Sequence, residues 1–166
     1  MPLYIVDSNF FIEAHRINYP IDIAESYWTK VKKFADDGII ISIDKVKNEL
    51  YDKNDVLEKW CKQNLPQNFF QKSETTIHSY AKVANWVYSK KDHYLPKAID
   101  EFLDKDEADA FIIAYAMEDI KNRVIVTQEV SEPNRKNKIK IPDVCKFFQI
   151  RTINTLSLFR ELGEKF

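Results

Sequence analysis

Glycine is nearly missing from this chain, with only Gly38 and Gly163 among 166 residues. Phosphate cradles of the Rossmann and P-loop kinds need several glycines close together, so both are excluded. Chemistry on a phosphate must then rest on side chains or a metal. Cysteine is equally scarce. Cys61 and Cys145 are distant in sequence and form no C-x-x-C pair, as expected of a reduced, cytoplasmic chain. The three histidines, His15, His78 and His93, lack the H-E-x-x-H spacing of a helical zinc site. A G-x-S-x-G nucleophile elbow is also absent. The longest apolar run, Ala110 to Met117, falls well short of the ~20 residues that a membrane helix needs. No basic stretch followed by an apolar run marks a secretory signal, and no membrane partner is expected. Net charge is close to nil as well, −1 from 25 basic and 26 acidic residues, which argues neither for nor against nucleic acid. Basic residues do concentrate locally, at Lys30 to Lys33, Lys45 to Lys62 and Arg135 to Lys140.

Core-forming residues are what the chain has in quantity. Hydrophobic side chains make up 45% and aromatics 13%, a composition that folds rather than staying disordered. The length is that of one domain, residues 1–166, able to bury roughly 68–70% of its unfolded surface. Three runs read as buried strands because their apolar residues follow one another with little alternation: Leu3 to Val6, Ile39 to Ile43 and Arg123 to Thr127. Arg151 to Ile153 reads as a short final strand.

Helical spacing and capping residues fill the intervals. A short helix carries Phe10, Phe11 and Ile12 behind an Asn9 cap, and a longer one runs from Ile23 to Asp36 until Gly38 stops it. Asp44 caps a helix through Val46, Glu49 and Leu50, and the spacing continues through Leu57, Trp60 and Cys61 to Pro66. Leu65 to Gln71 reads as a loop that inserts Phe69 and Phe70 into the core. Further helices are expected over Thr75 to Lys90, around Ile99 and Phe102, over Ala108 to Met117 behind Asp106, over Ile141 to Phe148, and from Thr155 to Leu162. Strands separated by helices give an α/β fold, a three-layer sandwich on a mainly parallel sheet of four to five strands.

Four acids fall where such a fold places ligands. Asp7 leaves the first strand, and open parallel sheets bind at that end of their strands. It can equally cap the next helix, although Asn9 is as good a cap. Glu49 lies about a turn into the helix after the second strand; Lys45 or Lys53 can pair with it, and Asp55 and Glu58 look no different by spacing. Asp109 stands between Ala108 and Ala110, just where the chain turns almost wholly apolar. It suits a helix start, yet a closely packed carboxylate also needs a cation or hydrogen bonds. Glu129 follows the third strand by two residues, with the Thr127 hydroxyl on the same side, or else is a solvated loop acid. Taken together, several acids in one pocket repel unless a cation is present, and Mg²⁺ or Mn²⁺ is the hard ion that carboxylate and water oxygens suit.

In these blocks the chain resembles the PIN-domain ribonucleases, in particular the single-domain, VapC-like PIN toxins of bacterial and archaeal toxin–antitoxin pairs. The resemblance rests on Tyr4-Ile5-Val6-Asp7-Ser8-Asn9, Ser42 to Leu50, Asp109 to Ala114, and Val126-Thr127-Gln128-Glu129, and covers nearly the whole length. It implies a PIN-like sheet with helices on both sides and a metal-dependent endoribonuclease acting on single-stranded or loop RNA. By position, Asp7, Glu49 and Asp109 would hold Mg²⁺ or Mn²⁺, with Glu129 completing the site directly or through water. Ser8, Asn9 and Thr127 would orient those ligands from behind. The family's usual fourth acid is an aspartate, one methylene shorter than Glu129, and the position two residues later is Ser131 here. A protein antitoxin and a homodimer are the partners implied besides RNA. Arg135, Lys136, Lys138 and Lys140 follow Glu129 and, if they border the pocket, can hold an RNA backbone. Lys72 to Phe102 exceeds the compact toxins, as a lid, dimer surface or antitoxin groove. Two other functions stay open: a PIN-like module that binds protein or RNA without cutting it, and a nuclease directed at DNA.

Overall fold

The computed structural model describes residues 1–166. Five strands, β1 (Leu3–Val6), β2 (Ile40–Ile43), β3 (Phe70–Gln71), β4 (Arg123–Val126) and β5 (Thr152–Ile153), form one sheet. Their order is β3-β2-β1-β4-β5 and every neighbouring pair is parallel. β1 is the middle strand, with Leu3 to Val6 opposite Arg123 to Val126 and Tyr4 and Ile5 opposite Ile40 and Ile41. Both faces of a central parallel strand are covered, which is why these runs show no alternation. Tyr4, Ile5, Val6, Val124, Ile125 and Val126 are all buried.

Nine α-helices join and cover the strands: α1 (Ser8–Glu13), α2 (Glu25–Asp36), α3 (Asp44–Leu50), α4 (Val56–Asn64), α5 (Ile77–Ser89), α6 (Pro96–Phe102), α7 (Asp109–Met117), α8 (Ile141–Phe148) and α9 (Thr155–Glu161). The chain steps one way from β1 to β3 and the other way from β3 to β5. Right-handed crossovers therefore put α1 to α4 on one face and α5 to α8 on the other. Packing of α1 on α3, and of α7 on both α5 and α8, follows that division. The result is the three-layer α/β sandwich. α7 is apolar all round, as a helix enclosed on every side must be; Ala110, Ile112, Ile113, Ala114 and Ala116 are buried, and Phe111 stacks on Tyr80 at 4.4 Å. Gly38, at φ +70°, closes α2 with its N–H on the Ala35 carbonyl.

Three local expectations are corrected. Leu65 to Gln71 is not loop throughout: Phe70 and Gln71 pair with Ser42 and Ile43 as β3, an edge strand, two residues being too few to carry a periodic signal. Phe69 fills the core while Phe70 is only partly covered. Asp7, not Asn9, caps α1, because Asp7 is extended (φ −83°, ψ 176°) and its carboxylate reaches the Phe10 N–H. Neither Asp44 nor Asp106 caps a helix. Asp44 opens α3 and accepts the Ser73 hydroxyl at 2.7 Å, while Asp106 is exposed ahead of α7.

Ser42 is a buried hydroxyl in β2 that donates to the Val6 carbonyl at 2.6 Å, tying β2 to β1 one residue before Asp7. Ser42→Ala removes that tie. The expected cost is about 1 kcal/mol, seen as a lower urea midpoint with an unchanged slope.

Candidate functional site

Winding reverses between β1 and β4, and a sheet with that reversal opens a crevice at the carboxyl ends of those two strands. Asp7 leaves β1 there and Thr127 leaves β4. The two side chains meet: Thr127 Oγ1 donates to Asp7 Oδ2 at 2.6 Å, while Asp7 Oδ1 accepts the Phe10 N–H at 2.9 Å. Asp7 is 3% exposed. Burial is the main reason its carboxyl is raised to about 7; the bonds from Thr127 and Phe10 pull it down, and Glu129 and Glu49 push it up.

Asp109 opens α7 in the same crevice and is half-buried. Its carboxyl stands well above the usual carboxylate range, through burial first and then through Glu129, Asp7, Glu49 and Glu107. Asp7 thus feels the charge of Glu129 and Glu49, and Asp109 that of all three other acids. Glu49, from α3, bridges two elements: Oε2 accepts the Ser8 hydroxyl at 2.6 Å and Oε1 accepts the Ala108 N–H at 3.0 Å. Glu129 does the same on the β4 side, its Oε2 accepting the Ile141 N–H at 2.7 Å and its own N–H donating to Thr127 Oγ1 at 3.1 Å.

No group of three or more His, Cys, Asp or Glu side chains stands in an arrangement that could hold a metal ion. Glu49 and Glu129 are turned toward backbone N–H groups of α7's approach and α8's start, which explains why the four do not close on one point. The donor chemistry nonetheless fits a hard divalent cation. All donors are carboxylate oxygens, each ionised carboxylate has about four acceptor positions, and Asp7 and Asp109 are raised in part by neighbouring negative charge.

The remaining expected residues divide. Ser8 touches Glu49 rather than Asp7, and Thr127 touches both Asp7 and Glu129. Asn9 is exposed on α1 and hydrogen-bonds none of the four acids. In the basic loop, Lys138 borders a cavity of about 140 Å³ that Asp109 and Glu107 also line. Arg135 and Lys140 pair with Glu132 at 3.3 and 3.7 Å, so part of that positive charge is spent within the loop. Lys136 is exposed, and its carbonyl accepts the Leu95 N–H.

Two residues that the sequence did not single out, Arg16 and Glu107, join the rim. With Glu49 and Lys53 they line a cavity of about 440 Å³. Glu107 is itself raised by partial desolvation, then by Glu49 and Asp104, against Lys138. Its place two residues before Asp109 was the available signal. Arg16 had none, since it sits in a π-helical turn, Ala14–Asn18, that continues α1.

Residues 4–166 match the family model described as a domain of unknown function, DUF4411. The chain belongs to that family. No curated protein and no solved structure matches it. No helix of this DUF4411 chain is long and apolar enough to cross a membrane.

Proposed function

We propose that this protein is a divalent-metal-dependent endoribonuclease that hydrolyses phosphodiester bonds of single-stranded or loop RNA, in the manner of a PIN-domain toxin with a protein antitoxin. One observation carries the reading. Asp7 and Asp109, far apart in the chain, share one crevice with Glu49 and Glu129, whose charges raise the proton affinity of both. A divalent cation bound there would supply a water of lowered pKa and a counter-charge for the phosphate. The residues that would hold it are Asp7 and Asp109, with Glu49 and Glu129 alongside.

The chain's own groups have distinct tasks. Thr127 and the Phe10 N–H fix the direction of the Asp7 carboxylate, so it meets a ligand without reorganising. Ser8 and the Ala108 N–H hold Glu49. Lys138, with Arg16 and Lys53 in the adjoining cavity, would offset the repulsion between the acids and a phosphate backbone.

Asp109→Asn tests this reading. Cleavage of a single-stranded RNA in Mn²⁺ is expected to fall at least about a hundredfold, with circular dichroism unchanged and stoichiometric Mn²⁺ uptake by calorimetry lost. Cleavage that persists in this variant rejects the site. Faster cutting of flapped DNA than of RNA would reassign the substrate. Growth arrest on expression, relieved by the product of an adjacent reading frame, tests the toxin role.

A further inference from the structure

The cavity of about 440 Å³ beside Glu49 is bordered by two irregular pieces of backbone. One is the π-helical turn Ala14–Asn18, in which the Tyr19 N–H reaches back to the Ala14 carbonyl. Such turns are rare, and they are frequent at functional sites. The other is the turn between α3 and α4, where Asp52 and Asn54 stand in the left-handed region at φ +64° and +53°. Residues other than glycine seldom adopt that conformation and keep it where their surroundings impose it. Here the imposing group is Glu58, buried in the first turn of α4. Its Oε1 accepts the Lys53 and Asn54 N–H groups at 2.7 and 3.0 Å, and Lys62 holds its Oε2 at 2.6 Å. His15 ties down the π-helical turn, its Nδ1 accepting the Ile21 N–H at 3.2 Å.

Each turn brings one cation to the cavity, Arg16 from the first and Lys53 from the second. Both residues are exposed, and neither side chain forms an ion pair. Three acids, Glu49, Asp55 and Glu107, belong to the same lining, so the lack of pairing needs a cause. Two of the acids are committed elsewhere. Both Glu49 oxygens are taken, by the Ser8 hydroxyl and the Ala108 N–H, and Asp55 accepts the Glu58 N–H as the cap of α4. Arg16 and Lys53 are thus left to meet an anion from solution, and a guanidinium beside an ammonium suits a phosphate.

Glu107 joins this cavity to the crevice, because it also lines the smaller one that holds Asp109 and Lys138. Each cavity therefore pairs an acid of the site with free positive charge: Asp109 with Lys138, and Glu49 with Arg16 and Lys53. A nucleic-acid strand repeats its charge at every nucleotide, so a strand cut at the acids brings further phosphates to the adjoining cavity.

We propose that the Arg16–Lys53 cavity seats a phosphate of the RNA strand next to the one that is cut. The proposal rests on the nuclease reading above for its ligand, a single-stranded RNA, while its first test reads binding and not cleavage. Fluorescence anisotropy of a labelled, unstructured single-stranded RNA is followed over a range of salt, in Ca²⁺, which carboxylates also bind. Arg16→Ala and Lys53→Ala are each expected to weaken binding about fivefold and to lower the slope of log affinity against log salt by about 0.7, the share of one phosphate contact. Arg16→Lys should restore most of the slope, and Lys82→Ala, at an exposed position on α5, should change nothing. Thermal midpoints should stay put, since neither cation has a partner in the folded chain. Strands carrying one uncharged methylphosphonate linkage then locate the contact. At one position beside the cut bond the native protein should slow in Mn²⁺, while Arg16→Ala, already lacking the contact, should not slow further. Slopes equal to the native one in both alanine variants, an equal loss in Lys82→Ala, or no RNA binding by the native chain overturns the proposal. Lost slopes in a protein that still cuts RNA as Asp109→Asn would reject the acidic site and keep this one. Unchanged slopes in a protein that Asp109→Asn inactivates give the converse.

Discussion

Asp7→Asn is expected to make the metal-free protein more stable at pH 8 while abolishing RNA cleavage. The Asp7 carboxyl is raised from 3.8 to about 7 in the folded chain, so the native state holds this proton more tightly than the unfolded state does. Its contribution is fully present below about pH 4 and is lost as pH rises through about 7. Above that, the folded protein carries a buried charge worth at most about 4 kcal/mol against it. Asparagine has the same shape and no charge. Its carbonyl oxygen keeps the Phe10 N–H, and its amide donates to Thr127 Oγ1 once that hydroxyl turns. A gain of the order of 2–4 kcal/mol at pH 8 corresponds to roughly 5–15 °C in Tm for a chain of this size, shrinking to nothing near pH 4. Mg²⁺ or Mn²⁺ should raise the Tm of the native protein at pH 8 and leave that of the variant alone. Thermal melts at both pH values, with and without the ion, decide it. A variant less stable than the native chain at pH 8 would mean that Asp7 is not held at a cost.

Thr127→Val is expected to be the most damaging single change that leaves all four acids in place. One hydroxyl donates to Asp7 Oδ2 and accepts the Glu129 N–H, joining the ends of β1 and β4. Valine matches its volume but leaves both partners facing an apolar methyl in a site where Thr127 is 3% exposed. Orphaning a charged acceptor and a backbone donor costs about 2–4 kcal/mol together, and more at pH 8 than at pH 5 because the orphaned acceptor is then an anion. Urea titrations at the two pH values measure this difference. Thr127→Ser should recover most of the stability and the cleavage rate, and a failure to do so would assign the loss to packing rather than to the hydroxyl.

The strands that frame the site were legible because burial on both faces writes an uninterrupted apolar run into β1, β2 and β4. β3 was not: its two residues are strand only because Ser42 and Ile43 already offer a paired edge. Asp7 and Asn9 are both good caps, and only the extended backbone at Asp7 decides between them. Glu49 could not be told from its neighbours by spacing. In the fold Asp55 caps α4 through the Glu58 N–H at 2.9 Å, and Glu58 holds the Lys53 and Asn54 N–H groups at 2.7 and 3.0 Å. Glu49 alone of the three reaches toward α1 and α7. The basic loop looked like four equivalent cations, but Glu132 pairs with Arg135 and Lys140 and leaves Lys136 and Lys138 unclaimed. Charge composition carries no record of such pairings, since they depend on how the loop is folded back.

Placing β1 at the middle of the sheet has a consequence for how the protein comes into being. During translation Asp7 emerges 120 residues ahead of Thr127. At about 5–20 residues per second the carboxylate waits roughly 6–24 seconds for the hydroxyl that orients it. Until then Leu3 to Val6 is a sticky segment with one neighbour at most, in need of shelter on the ribosome. A nascent chain released early carries the aspartate but neither Asp109's nor Thr127's share of the crevice, so the crevice exists only in finished molecules.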